Sequence, residues 1–192
     1  ERHESGLRIE SDMALAVDGA TLDVTARASY ETDGRKVALA VAFAEIDSAR
    51  LTALVAHFAP DLAAQVDAAL PVSGRFALSG DLDGRIDDFT FELSGGPGTV
   101  TPPMSEAPEP FEVRSMQLRG AVDFDGPALR IEKLFVDFGG PTFTGTAVLS
   151  GDPAAPDLVG EFTMTDITAG ELGRYWPAEV APGGRHWVIA HI

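Results

Sequence analysis

The chain has 192 residues, 45% of them hydrophobic, enough for a buried core in one domain and too many for a disordered chain. A formal net charge of -16 speaks against nucleic acid as a partner, because that affinity rests on Lys and Arg neutralising phosphates, and against docking on an anionic membrane surface. There is no cysteine, which excludes disulfide scaffolds and thiolate metal sites, and no apolar run approaches the roughly 18 residues of a spanning helix, so direct membrane insertion is not expected.

The first strands alternate with period two. "LRIESDMALAV" sets Leu7, Ile9, Met13, Leu15 and Val17 on one side, and "ATLDVTARASY" does the same with Leu22, Val24, Ala26, Ala28 and Tyr30. "KVALAVAFAEI" alternates Val37, Leu39, Val41 and Phe43 with alanines. Asp-Gly pairs at 18–19 and 33–34 predict hairpin turns between them. Residues 1–46 are therefore expected to be strands.

Residues 47–70 change to helical spacing. Leu51, Leu54, Val55 and Phe58 precede Pro60, and Leu62, Val66 and Leu70 follow it. Asp47 and Asp61 occupy capping positions. The pattern predicts a hairpin of two short helices lying on the sheet.

Antiparallel strands resume over 71–167. "VSGRFALSGDL" carries Phe76 and Leu78, and "RIDDFTFELSG" carries Phe89, Phe91 and Leu93. A Pro-rich insert at 95–110 reads as a loop or edge excursion. Further strands are predicted near 112–123, 128–138, 142–150 and 157–167. In two of them the apolar parity slips, from Phe111 and Val113 to Met116 and Leu118, and from Leu129 and Ile131 to Leu134, Val136 and Phe138. A β-bulge restores facing after such a slip. "LSGDL" at 78–82, "LRGAV" at 118–122 and "LVGEF" at 158–162 share Leu-x-Gly-x-apolar at equal intervals. Chance matches in Gly-rich strands and a duplicated hairpin pair both account for them.

Eight or nine such strands make a face on the order of 1,200 Å², from about 4.8 Å between strands and about 3.3 Å per residue. Two short helices cover on the order of 300 Å² of it. Because monomers rarely leave more than a few hundred Å² of contiguous apolar surface open, the sheet is expected to curl on itself, pack on further sequence, or hold apolar ligand.

The chain offers little for catalysis. It has no Gly-x-x-x-x-Gly-Lys loop and no Gly-x-Ser-x-Gly elbow. "GGPGTV" at 95–100 has a proline in place of one amide donor and no following Lys, so it reads as a turn. The histidines, His3, His57, His186 and His191, show no metal-binding helical spacing. Asp87–Asp88 and the acidic "SEAPEPFE" read as solvated turns rather than a hard-cation site. No enzyme, metal or cofactor is expected. A hydrolytic enzyme would need an acid and a base clustered in a pocket.

The last stretch, 168–192, predicts short helices. Asp166 or Thr168 is placed to cap the first, with Leu172, Tyr175 and Trp176 toward the sheet and Pro177 ending it. Pro182 sits in the first turn of the second, whose apolar side holds Trp187, Val188 and Ile192. Trp176, Pro177, Pro182 and Trp187 are expected to be structural anchors, since one indole buries about 200 Å².

"LGRYWPAEVAPGGRHWVIAHI" resembles a segment of the AsmA-like family of bacterial envelope proteins, the YhdP and TamB group. The resemblance is carried by Leu172, Trp176, Pro177, Ala181, Pro182, Gly183, Arg185, Trp187 and Val188. The preceding order also fits, through "LFVDFGGPTFTGTAVLSGD" and "LVGEFTMTDITAGEL", so most of the chain from about residue 35 is covered. The family's next Gly-x-Val strand is absent. The resemblance implies a non-enzymatic, periplasmic segment of an inner-membrane-anchored parent, contributing to a β-groove that carries phospholipid acyl chains toward the outer membrane.

The expected fold is thus mainly β with a few short helices: a curved antiparallel meander or groove, taco- or clam-like, with a helical hairpin packed on it, forming one segment of a longer protein over 1–192. Its apolar lining is expected from Leu22, Val24, Val37, Leu39, Val41, Phe43, Phe76 and Leu78 in the first half. Phe89, Phe91, Leu93, Leu118, Val136, Phe138, Phe162 and Met164 continue it. The expected partners are phospholipid acyl chains and the remainder of the parent chain, with self-association of the isolated segment as a further expectation. The other reading is an assembly module whose apolar face docks other segments or a partner protein.

Overall fold

The computed structural model describes residues 6–17, 20–31, 35–58, 67–101, 110–124, 126, 128–152, 155–175 and 182–191. Strong alternation yields long strands: β1 (Gly6–Val17), β2 (Ala20–Glu31) and β3 (Lys36–Asp47). Helix α1 (Ser48–Phe58) follows, then the short strand β4 (Asp67–Ala69). Next come β5 (Pro71–Asp81), β6 (Ile86–Gly95), β7 (Gly98–Thr101), β8 (Phe111–Val113) and β9 (Ser115–Asp123). The chain continues through β10 (Ala128–Asp137), β11 (Thr142–Asp152), β12 (Ala155–Thr165), α2 (Ala169–Tyr175) and α3 (Pro182–His191).

Nine strands form one antiparallel sheet in the order β1-β2-β3-β5-β6-β9-β10-β11-β12, and β4-β7-β8 form a second, small sheet. The large sheet is open: among the described residues β1 pairs only with β2, and β12 only with β11. Val17 lies opposite Ala20 and Glu31 opposite Lys36, as the two expected hairpins require. The Asp-Gly residues themselves lie outside the described residues.

Three expectations change. Residues 67–69, assigned from sequence to a second helix, are the strand β4, which pairs with β7. Their Ala-rich spacing fits either period, and pairing with a neighbouring strand decides it. Positions 59–66, including Asp61, lie outside the described residues. The Pro-rich insert contains a strand, β7, at its start. Finally, the parity slip at 113–116 is not a bulge in one strand. The chain passes through Arg114 from the small sheet into the large one, and each strand keeps its own facing. The slip in β10 is the expected bulge, between Ile131 and Leu134.

The core sits at one end of the large sheet. Val24, Phe43, Ile46, Leu70 and Val72 are buried there, with Leu51, Ala68, Leu93, Val100 and Met116 packed around them. Ser48 locks this end. It is 5% exposed, its hydroxyl donates to the Ala68 carbonyl at 2.7 Å, and it accepts from the Leu70 amide at 3.0 Å. The Ser48 amide in turn donates to the Leu70 carbonyl at 2.9 Å. Asp47 caps α1 as expected, accepting from the Ala49 amide at 2.9 Å.

Candidate functional site

Antiparallel register places cross-strand partners on the same face. Following partners from β1 to β12 therefore traces rows across the sheet. One row starts at Ile9, opposite Ala28, and continues through Leu39, Leu78 and Phe89. It then passes through Val122, Leu129, Leu149 and Leu158. The next row down runs from Ser11 and Ala26 through Val41, Phe76 and Phe91 to Gly120, Ile131, Ala147 and Gly160. A third joins Met13, Val24, Phe43, Gly74 and Leu93 to Leu118, Leu134, Gly145 and Phe162. No charged residue interrupts these rows, and Ser11 is their one polar member.

The opposite face holds the charges. Arg27 pairs with Glu10 across the β1–β2 ladder at 2.7 Å, Arg75 with Glu92 at 2.5 Å, and Arg119 with Glu132 at 3.1 Å. Glu10 beside it raises the Arg27 pKa, chiefly through the side-chain hydrogen bond. Lys36 reaches Asp87, and that hydrogen bond holds the Asp87 carboxyl below its ordinary value. These pairs are exposed, so they organise the surface more than they stabilise it.

Cover over the apolar face is uneven. The core end lies under α1 and the small sheet. At the β1 edge Leu7 is 59% and Ile9 55% exposed, and at the β12 edge Leu158 is 58% and Phe162 44% exposed. The chain's accessible surface is 12983 Å² at 20.2 kDa, whereas a compact monomer of that mass exposes about 8,800 Å². The edge exposures describe an apolar face that the described residues do not seal, and the large total area shows a chain less compact than its mass allows.

Most residues expected to line this face fall on it by register: Val24, Val37, Leu39, Val41 and Phe43, then Phe76, Leu78, Phe89, Phe91 and Leu93, then Leu118, Val136, Phe162 and Met164. Leu22 holds the register position opposite Leu15. Four of the rings run diagonally over β3, β5 and β6, with Phe43–Phe76 centroids 5.8 Å apart, Phe76–Phe89 6.0 Å and Phe89–Phe91 6.4 Å. Phe138 is an exception. It lies just beyond β10 and packs against Phe111 at 5.8 Å and Tyr175 at 5.2 Å. The sequence reading overlooked Val122, Phe143, Leu149 and Leu158. Val122 shares the parity of Leu118 on β9 and Leu158 that of Phe162 on β12, so alternation was the available signal for those two; on β11, Phe143 and Leu149 share a parity with each other alone.

The carboxy-terminal expectations divide. Of the two cap candidates, Thr168 caps α2. Its amide donates to the Glu171 carboxylate at 3.1 Å and the Glu171 amide donates to its carbonyl at 3.1 Å, while hydrogen bonds from the Thr168 hydroxyl and amide lower the Glu171 pKa. Tyr175 stacks on Phe111 at 5.1 Å, and the Arg174 guanidinium lies 5.4 Å from the Phe111 ring centre. Pro182 opens α3, as its missing amide allows. Trp187, expected as an anchor, makes its ring contact within its own helix among the described residues. It is 62% exposed and stacks on His191 of its own helix at 4.9 Å, because the two residues are one helical turn apart. Trp176 and Pro177 lie outside the described residues.

The three Leu-x-Gly motifs fall on β5, β9 and β12. β5 and β9 run in the same direction, two strands apart, whereas β12 is three strands from β9 and runs opposite to it. A duplicated unit would keep one direction, so the third copy is not a repeat of the first two.

Among the described residues no three His, Asp or Glu side chains gather to hold a metal, and no helix is long and apolar enough to cross a membrane. What the arrangement offers chemically is a broad, uncharged, partly open apolar surface backed by a charged one. No family model, no curated protein and no solved structure matches the chain.

Proposed function

We propose that the chain is a periplasmic segment of an AsmA-like envelope protein, and that its nine-stranded sheet curves into part of a hydrophobic groove through which phospholipid acyl chains pass between the inner and outer membranes. The observation that carries this reading is the uncharged rows that cross all nine strands and remain exposed at both edges. Acyl chains present methylenes and nothing that needs a hydrogen bond, so an uncharged surface suits them and a specific polar pocket is not required. The headgroups would stay at the water-exposed rim. The parent protein would be anchored in the inner membrane, and the segment carries no chemistry of its own.

The test is site-specific photocrosslinking to phosphatidylcholine labelled in its acyl chain. A benzophenone side chain at Leu39, on the apolar face, should capture the label. The same group at neighbouring Ala40, on the charged face, should not. Equal labelling at both positions, or none at Leu39, refutes the reading.

The second reading is an assembly module whose apolar face docks further segments of the parent or a partner protein. It is favoured by the β1 edge, which pairs with no further strand among the described residues. β1 has twelve residues in unbroken register with β2, without the proline or bulge that blunts an edge strand. Lipid-free protein that sediments as a discrete dimer and loses no material on delipidation supports this reading over the first.

A further inference from the structure

Glycines on the apolar face are occupied from above. An ideal Cβ on Gly145 would stand 2.3 Å from Cδ1 and 2.9 Å from Cε1 of Phe162, and 2.9 Å from the Glu161 carbonyl oxygen. One on Gly160 would stand 3.0 Å from Cε2 and Cζ of the same ring. Ordinary carbon contacts are about 3.5–4.0 Å, so this ring fills space that any other residue would claim on two adjoining strands. Phe162 also stacks on Phe143, with centroids 5.5 Å apart and planes 12° from parallel. On β6 the same arrangement recurs: a Cβ on Gly120 would meet Cζ of Phe91 at 2.6 Å.

We infer that Gly145 and Gly160 determine how much acyl chain the proposed groove accepts, by letting the Phe162 ring lie down on bare backbone instead of standing into the lane. The inference rests on the lipid-groove reading. The lane lies between the row ending at Leu158 and the row ending at Phe162. With the ring down, its face extends the floor and offers flat contact to methylenes. Any side chain at 145 forces rotation about χ1 to another staggered position. Staggered alternatives carry the ring upward, across the path of an occupant. The same logic at Gly120 is less testable, since a Cβ there would meet the Arg130 carbonyl at 2.3 Å, a closer backbone clash than the 2.9 Å to Glu161 at Gly145.

The test compares wild type, Gly145→Ala, Phe162→Ala and the double variant. One readout is hydroxyl-radical labelling of Phe162 without lipid. The other is occupancy by dioleoyl phosphatidylcholine, offered from detergent and counted by native mass spectrometry. Gly145→Ala should raise labelling about twofold, because the ring is 44% exposed in the wild type and an upright ring is close to fully exposed. It should lower occupancy about tenfold, within the cost of overpacking. Adding Phe162→Ala should return occupancy to within about threefold of wild type, since the obstructing ring is gone. Unchanged labelling overturns the inference, and so does an occupancy loss that the double variant fails to rescue. A wild type that takes up no lipid is a different result: it sinks the proposed function itself, and is read from the wild-type arm alone. If Gly145→Ala does not fold, Gly160→Ala carries the test: a Cβ there meets Cε2 and Cζ of the same ring at 3.0 Å, so Phe162 labelling should rise and occupancy fall, and unchanged labelling overturns the inference.

Discussion

If the apolar face is open, stability and lipid capacity should sort to different residues of the same face. Phe43 and Leu158 make the comparison. Phe43 is 8% exposed, belongs to the core with Val24, Ile46, Leu70 and Val72, and stacks on Phe76. Phe43→Ala removes a buried ring from a packed site, which costs about 3–5 kcal/mol. At about 2–4 °C per kcal/mol for a chain of this size, the midpoint should fall by about 6–20 °C. Leu158 faces the same way but is 58% exposed. Full burial of a leucine contributes about 2 kcal/mol, so truncating one with roughly two-fifths of its surface covered should cost about 0.8 kcal/mol. Urea melts followed by far-ultraviolet circular dichroism, on delipidated protein at low concentration, measure both costs, and thermal melts of the same samples measure the midpoint shift. Photocrosslinking to acyl-labelled lipid should show the reverse order, with loss at Leu158→Ala and little change at Phe43→Ala in whatever fraction is folded. Equal destabilisation by the two variants refutes the reasoning, because Leu158 would then be packed in solution against something the open sheet does not contain.

Ser48→Ala should destabilise by about 1–3 kcal/mol despite removing one oxygen, since it leaves the Leu70 amide and Ala68 carbonyl without that partner; Ser48→Thr, which keeps the hydroxyl, should cost less in the same urea melts. Deleting Glu132 removes the β10 bulge and leaves Ile131 and Leu134 facing the same way, so the protein should still unfold cooperatively; deleting both Glu132 and Lys133 turns Leu134 and Val136 to the charged face and should abolish cooperative unfolding. The carboxyl of Glu171 is held below its ordinary value of 4.5, chiefly by the Thr168 hydroxyl, so its contribution to α2 is present above that pH and is lost as pH falls through the lowered value. Near-ultraviolet circular dichroism of Tyr175, which reports stacking on Phe111, should fade on acidification in the wild type, and Glu171→Gln should remove that component of the pH dependence.

How much of this was legible in the sequence depended on the type of pattern. Strand alternation gave β1, β2, β3, β5 and β6 nearly to the residue, because one charged and one apolar face leave a single workable register. The β10 bulge was legible for the same reason: Ile131 and Leu134 are three apart, and only an extra residue lets both face inward. The identical signal at Val113 and Met116 meant something else, a passage between two sheets. Parity records that facing changes and is silent on which neighbour the next strand finds. Asp67–Ala69 was misread because three small residues satisfy period two and period 3.6 alike, and the choice came from β7, a strand hidden in a Pro-rich stretch. Trp187 was misread because composition suggests burial for any indole, yet a stacking partner four residues on, His191, was available within its own helix. The ring over Gly145 and Gly160 was not legible at all. Phe162 is seventeen residues from Gly145, and only the β11–β12 register brings them together.

Seen as a physical object, the sheet raises a question that composition alone does not: how an apolar face of this width persists without full cover. The charged side answers part of it. Glu10–Arg27 and Arg75–Glu92 join neighbouring strands directly, so the outer face favours the native register even where the inner face is bare. The backbone answers more. Every strand between β2 and β11 in the large sheet has a ladder on both sides, which satisfies its amides and carbonyls whether or not anything lies above them. The core then needs to be only large enough to hold the sheet's one closed end, where Ser48 ties Leu70 and Ala68 to the start of α1. Freed from sealing the rest, the remaining rows can be smooth and uncharged: leucines beside glycines, with rings lying over the glycines. A sheet selected only to be stable would spread charge over both faces, whereas here the charges gather on the opposite one, which also exposes Val148 and Val159. That these rows stay apolar out to Leu7 and Ile9 on one edge and Leu158 on the other is the strongest reason to assign them an occupant.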